Sequence, residues 1–294
     1  MRDVRRCDLL SAHRRPAMNY SSVMVHVEDN EVGMARVRLA ADIAARFGGR
    51  VLGVMGSPTE APATDGDTSG AMLGEAATLY QDIGATRVNR AEAAFWEVAN
   101  ATTGRFEWRG RTGCPREVVI QTLRAADILM LGQRRVETAS IEALDPADLL
   151  MATGRPLLIA PSHPERGPIG EAAVVAWTDS PEAQRAVLGA LPMLKSASGV
   201  HVIEIAAEGA LSGAKVRTAD VADYLGTHGV VASAHVVRSD GSARGEQIIR
   251  FAQTARAGLI VAGGSGHAQM RDGASGGVTH DLLIGAPVCL IVSH

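Results

Sequence analysis

The chain repeats itself once. "SSVMVHVEDNEVGMARVRLAADIAARFGGRVLGVM" begins at Ser21, and "EAAVVAWTDSPEAQRAVLGALPMLKSASGVHVIEI" begins at Glu171. Both run apolar strand, acidic turn, Ala/Leu/Arg-rich helix, glycine exit, second apolar strand. Further on, "AADILMLGQ" (Ala125 to Gln133) matches "RAGLIVAGG" (Arg256 to Gly264), and "DLLMATGRPLLIAP" from Asp148 matches "DLLIGAPVCLIVSH" from Asp281. A period of roughly 140 to 150 residues marks a duplicated domain, because solenoid repeats are several times shorter. Within each half five apolar runs alternate with helical patterns. In the second half the strand patterns are "AVVAW", "VHVIEI", "VVASAHVV", "LIVAG" and "VCLIV". Such alternation predicts an α/β fold, a parallel sheet with right-handed crossovers and helices on both faces.

The expected division is a first domain over 19–164 and a second over 170–294, joined at "GPIGE" (Gly167 to Glu171), whose glycines and proline interrupt the preceding strand. Residues 1–18 are Arg-rich without an apolar centre, so they read as a disordered or mis-started extension rather than a secretory signal. "SPTEAPATDGDTSG" (Ser57 to Gly70) reads as a long polar loop.

Composition excludes several classes. A net charge of −3 supplies no global attraction for nucleic acid or anionic membrane, and aromatics at 3% leave few rings for stacking bases. No apolar run reaches the ~18 residues of a membrane span. Cys7, Cys114 and Cys289 are far apart and odd in number, which argues against a disulfide framework or a zinc site and predicts a reducing, cytoplasmic setting.

In an open parallel sheet, ligands bind beyond the carboxyl ends of the strands where the strand order reverses. The residues after the first and fourth strands of each half are therefore the candidates. After the fourth strand of the second half comes "GGSGHAQMRDGASGGVTHDLL". Gly263, Gly266 and Gly276 let backbone N–H groups approach an anion with no Cβ in the way. Gly276, Gly277 and Thr279 lie at a helix start, whose free N–H groups favour negative charge. His267 lies in the same loop, where it is either a hydrogen-bond donor to phosphate or a loop-packing residue. Arg271 could face a phosphate and Asp272 would repel one. The alternative is a structural crossover that binds nothing. The first half has no such loop: between Gly132 and Gly154 there is no glycine, Arg134 and Arg135 read as solvated surface, and Asp145-Pro146 reads as a capped helix start.

The spacing G-x2-G-x9-G after a fourth strand, together with the two closing "DLL…" segments, resembles the universal stress protein family over about residues 20–294, in two tandem copies. The resemblance implies two Rossmann-like domains, each a five-stranded parallel sheet in the order 3-2-1-4-5, and pairing of domains through the last strand, within the chain or in a homodimer. It also implies a possible adenine nucleotide, ATP, ADP or AMP, with Mg²⁺ if a triphosphate. Two positions depart from the family's ATP-binding pattern. Its Ser or Thr after the last glycine is Gly277 here, and its Asp after the first strand is replaced by Glu28 and Thr178. Asp29 and Asp179 follow one residue later. Thr178 or Asp179 would then border the nucleoside, although Asp179 and Ser180 also read as a helix cap before Pro181. Trp177 ends its strand.

No GxxxxGK[ST] or HExxH occurs, and the nine histidines are scattered. His26 and His201 read as strand fillers, Cys289 as a small apolar filler in the last strand. "SGGVTH" resembles a pyrophosphatase loop only by coincidence, since it follows a fourth strand and ends in Thr279-His280. The sequence therefore predicts a stress-response regulatory module, not an enzyme, with a nucleotide site in the second half. A nucleotide-free interaction scaffold and a slow ATP hydrolase are the alternatives.

Overall fold

A computed structural model describes residues 19–59, 70–133, 144–163, 167–264 and 277–294. The first half runs β1 (Ser22–His26), α1 (Glu31–Phe47), β2 (Arg50–Val54), β3 (Gly56–Ser57), α2 (Gly70–Ala101), β4 (Arg105–Trp108), β5 (Arg111–Thr112), α3 (Pro115–Leu123), β6 (Ile128–Gly132), α4 (Pro146–Ala152) and β7 (Leu157–Ala160). The second runs β8 (Ala172–Ala176), α5 (Pro181–Ser196), β9 (Val200–Ala206), α6 (Leu211–Thr227), β10 (Ala232–Arg238), α7 (Arg244–Thr254), β11 (Ala257–Gly263), α8 (Val278–Gly285) and β12 (Cys289–Ser293).

Ten of these strands form one sheet, in the order β10-β9-β8-β11-β12-β7-β6-β1-β2-β4. Within each half the spatial order of its five main strands is third, second, first, fourth, fifth, all parallel. The halves meet where β12 runs antiparallel to β7, with Ile291 opposite Leu158. The strands are near-continuous Val/Ile/Leu/Ala runs because both faces are covered. On one face the core gathers Val37, Ala40 and Ile43 of α1, Phe95 of α2, Val187 and Leu191 of α5 and Leu225 of α6. On the other it gathers Val119 of α3, Leu150 of α4, Ile248 of α7 and Leu282 of α8.

The first half has an addition that its sequence pattern does not announce. β3 and β5 make a separate two-stranded sheet, too short to leave a periodic signal. The polar loop expected over Ser57 to Gly70 is shorter at both ends, since Ser57 belongs to β3 and Gly70 opens α2, and its stretch 60–69 lies outside the described residues. Residues 1–18, Arg134, Arg135, Arg271 and Asp272 are likewise outside them.

Candidate functional site

The two halves open their first helices in the same way. After β1, Asn30 caps α1, its Oδ1 accepting from the Gly33 N–H at 2.8 Å. After β8, Ser180 caps α5, its Oγ accepting from the Ala183 N–H at 3.2 Å, with Pro181 at the first helical position. Ser180, not Asp179, is thus the cap. Asp179 and Thr178 stay exposed at the crevice mouth, the Thr178 Oγ1 3.4 Å from the Ser180 Oγ.

What lies behind these caps differs between the halves. Arg36 sits six residues after Asn30, on the buried stripe of α1 with Gly33, Val37 and Ala40. Its Nη1 donates to the His26 carbonyl at 3.1 Å and lies 3.6 Å from the Glu28 carboxylate. Its guanidinium fills the space above Gly132, where a Cβ would stand 2.3 Å from Nη2. The crevice between β1 and β6 is therefore closed by the chain's own ion pair. The Glu28 carboxyl is pulled down to about 2 by its contact with the His26 imidazole and by the Arg36 charge, against the opposing effect of burial. Burial lowers the Arg36 guanidinium below its ordinary value, against the pull of Glu28. Asp29 is held by Arg90 of α2 at 2.8 Å.

In the second half the residue six positions after the cap is Ala186, whose side chain ends at Cβ. Gly263 ends β11 as Gly132 ends β6. A Cβ there would meet the Ala183 nitrogen at 2.6 Å, so this glycine lets the first turn of α5 close onto the strand. Gly264 has a similar reason: a Cβ would meet the Leu150 side chain of α4 at 2.3 Å. Gly277 is the N-cap of α8, with extended backbone and no side chain bonded into the first turn. Thr279 is 2% exposed, and its hydroxyl donates to the Gly263 carbonyl at 3.3 Å, tying α8 to the end of β11. Gly266, His267 and Gly276 lie outside the described residues.

Two further groups border this crevice. Trp177 is 8% exposed at the end of β8, and its indole Nε1 has no hydrogen-bond partner among the described residues. A buried indole N–H ordinarily finds an acceptor. Arg217 of α6 is held by Glu204 of β9, with Nε 3.0 Å from Oε2, and it also feels the charge of Asp179. Sequence reading passed over Arg36 and Arg217. The signal for Arg36 is a charge on an apolar stripe just after an acidic turn; Arg217 has none, since its partner lies on a distant strand.

Among the described residues no three His, Cys, Asp or Glu side chains gather as a metal site, and no helix is long and apolar enough to cross a membrane. Cys289 is buried, which pushes its thiol up to about 12, far from a reactive thiolate. Cys114 is exposed. A cavity of about 430 Å³ opens away from both crevices, lined by Arg109, Arg111, Gln121 and Arg124. Arg109 is paired with Glu107, and Arg111 donates to Gln121.

Two Rossmann-like halves joined edge to edge, each with its first and fourth strands adjacent, define a two-part α/β fold. No family model matches the sequence, and no curated protein matches it either. Solved structures do match. A universal stress protein from Archaeoglobus fulgidus DSM 4304 superposes with a TM-score of 0.61 at 16% identity, over 92% of this chain and 95% of that one. A functionally unknown protein from Pseudomonas aeruginosa PAO1 gives 0.53 at 16% identity, over 93% and 92%. The chain has the universal stress protein fold over nearly its whole length.

Proposed function

We propose that the chain is a nucleotide-responsive regulatory module of the universal stress type, with one adenine-nucleotide site, in its second half, and no catalytic turnover. The observation that carries this reading is the asymmetry of the crevices. Arg36 lies over Gly132 in the first half, and Ala186 stands at the matching position before Gly263 in the second. Three features fit an anionic nucleotide: the N-cap of α8 is Gly277, which places no side chain over the first N–H groups, Thr178 and Asp179 are exposed, and the Trp177 donor is unsatisfied among the described residues; Asp281 in the first turn of α8 acts against it. With a triphosphate, Mg²⁺ would be held by phosphate oxygens and water, as is usual for that ion.

A second reading is a scaffold without ligand. It is favoured by Gly263, Gly264 and Thr279, each of which has a packing role that needs no nucleotide. Calorimetric titration of the full chain with ATP, ADP and AMP separates the two. The nucleotide reading expects one site per chain, lost in Gly266→Val and in Ala186→Arg, which transplants the plug of the first half into the second. Absence of saturable binding in the wild type, or binding unchanged by Ala186→Arg, leaves the scaffold. Nucleotide recovered unconverted after prolonged incubation separates both from a hydrolase.

A further inference from the structure

At the outer edge of the second half, β9 and β10 pair in parallel with His201 beside Ser233 and Ile203 beside His235. Alternation along the strands sets His201, Ser233 and His235 on one face, beside Phe251 of α7, whose ring centroid lies 6.0 Å from that of His201 and 5.4 Å from that of His235. Three polar atoms meet there. The His201 Nδ1 is 3.1 Å from the His235 Nε2, and the Ser233 Oγ is 3.1 Å from the first and 2.9 Å from the second.

Proton counting shows that hydrogen bonds can serve two edges of this triangle but not all three. An imidazole nitrogen that carries a proton has no in-plane lone pair left to accept, and a bare one has no proton to give. If one nitrogen is protonated and the other bare, the N–H donates to the Ser233 Oγ and the hydroxyl donates to the bare nitrogen, which serves the two contacts to serine and leaves the nitrogen-to-nitrogen contact without a proton. If both are bare, the serine hydroxyl reaches one of them and the nitrogen lone pairs face each other. If both are protonated on these atoms, the two N–H groups oppose.

A single cation satisfies all three edges at once. For metal–ligand bonds of ~2.1 Å meeting near right angles, neighbouring donors stand about 3.0 Å apart. The triangle has that size. Ser233 is exposed on the edge strand β10, and the imidazoles of His235 on β10 and His201 on the neighbouring β9 are half-buried, so an ion and its remaining waters have access.

We propose that His201 and His235, assisted by the Ser233 hydroxyl, bind one divalent late first-row transition ion of right-angled coordination, of the class of Ni²⁺ or Cu²⁺. Two imidazoles and no carboxylate disfavour Mg²⁺ and Ca²⁺, which want oxygen ligands. The bound ion clips the edge strand β10 to β9. This site is independent of the nucleotide reading: its residues lie against Phe251 of α7, and none of them is among those named for the nucleotide.

The test is titration of the full-length chain with Ni²⁺, followed by calorimetry and by the thermal midpoint. The expected result is a site weakened at least tenfold in His201→Gln and in His235→Gln and absent in the double variant, with Ni²⁺ raising the midpoint of the wild type alone. Imidazole resonances of the wild type give a reading that does not depend on any variant folding. Substoichiometric Cu²⁺ should broaden His201 and His235 before the other histidines. A double variant that titrates like the wild type, or His201 and His235 signals that stay sharp, overturns the proposal.

Discussion

Arg36 decides what the first half can hold. It is one of the few charged side chains in the core, 5% exposed, and its counter-charge Glu28 comes from the turn just before its own helix. The Arg36 side chain is buried while that of Glu28 is 40% exposed, so the desolvation cost falls mainly on the guanidinium, and the worth of the pair shows when one partner is removed. Arg36→Ala would leave a void above Gly132 and a carboxylate without its cation, with an expected loss of about 2 to 4 kcal/mol in urea unfolding. The pH dependence follows from Glu28. Its carboxyl is held at about 2 in the fold against 4.5 for an ordinary glutamate. A depressed carboxylate contributes stability above its unfolded value and loses it as pH falls through the folded one. The stability gap between wild type and Glu28→Gln should therefore stay level above roughly pH 5 and close between roughly pH 4 and 2. Urea midpoints across that range check it, and a gap that does not change with pH would refute the role given to the pair.

The elements that were legible in the sequence are those fixed by local chemistry. Ser180-Pro181-Glu182 gives α5 its start, since a side-chain acceptor, a fixed φ and an acidic first turn all act within four residues. Asp145-Pro146 does the same for α4, with Oδ1 accepting from the Ala147 N–H at 2.9 Å. The alternation of apolar strand and helix was enough for the parallel sheet. What was illegible is long-range. Nothing near Gly263 says that α5, eighty residues earlier in the chain, presses on it, so sequence spacing read this glycine only as a phosphate approach. His201 read as a strand filler because its partner His235 is a strand away. Gly263→Ala measures the packing role directly. Its Cβ would stand 2.6 Å from backbone, which cannot rotate aside. The expected cost is about 1 to 3 kcal/mol, as for other overpacked sites. A thermal midpoint equal to wild type would show that α5 has room to retreat and that the glycine serves something else.

At the scale of the molecule, the two halves share one sheet and one core. Leu158 and Ala160 of β7 belong to the same buried cluster as Cys289 and Ile291 of β12. Side chains also cross the joint: the Tyr20 hydroxyl donates to the Gly189 carbonyl at 2.6 Å, and the Gln133 amide donates to the Ile284 carbonyl at 2.7 Å. Pairing β7 with β12 also covers an edge on each half that would otherwise present unpaired N–H and C=O groups, leaving β4 and β10 as the free edges. Unfolding one half alone would strip the other of this cover and expose the apolar joint to water, so the halves should open together. Hydrogen exchange read by mass spectrometry through a denaturant series tests this within a single sample. Peptides spanning β1 and β8 should lose protection at the same denaturant concentration. If one set opened at a clearly lower concentration, the joint would be a contact between two independently stable units, and an ion clipping β10 or a nucleotide in the second half would stabilise that half alone. With a shared transition, either ligand raises the midpoint of both halves equally, which makes the first half, with its crevice closed by Arg36, a reporter of occupancy in the second.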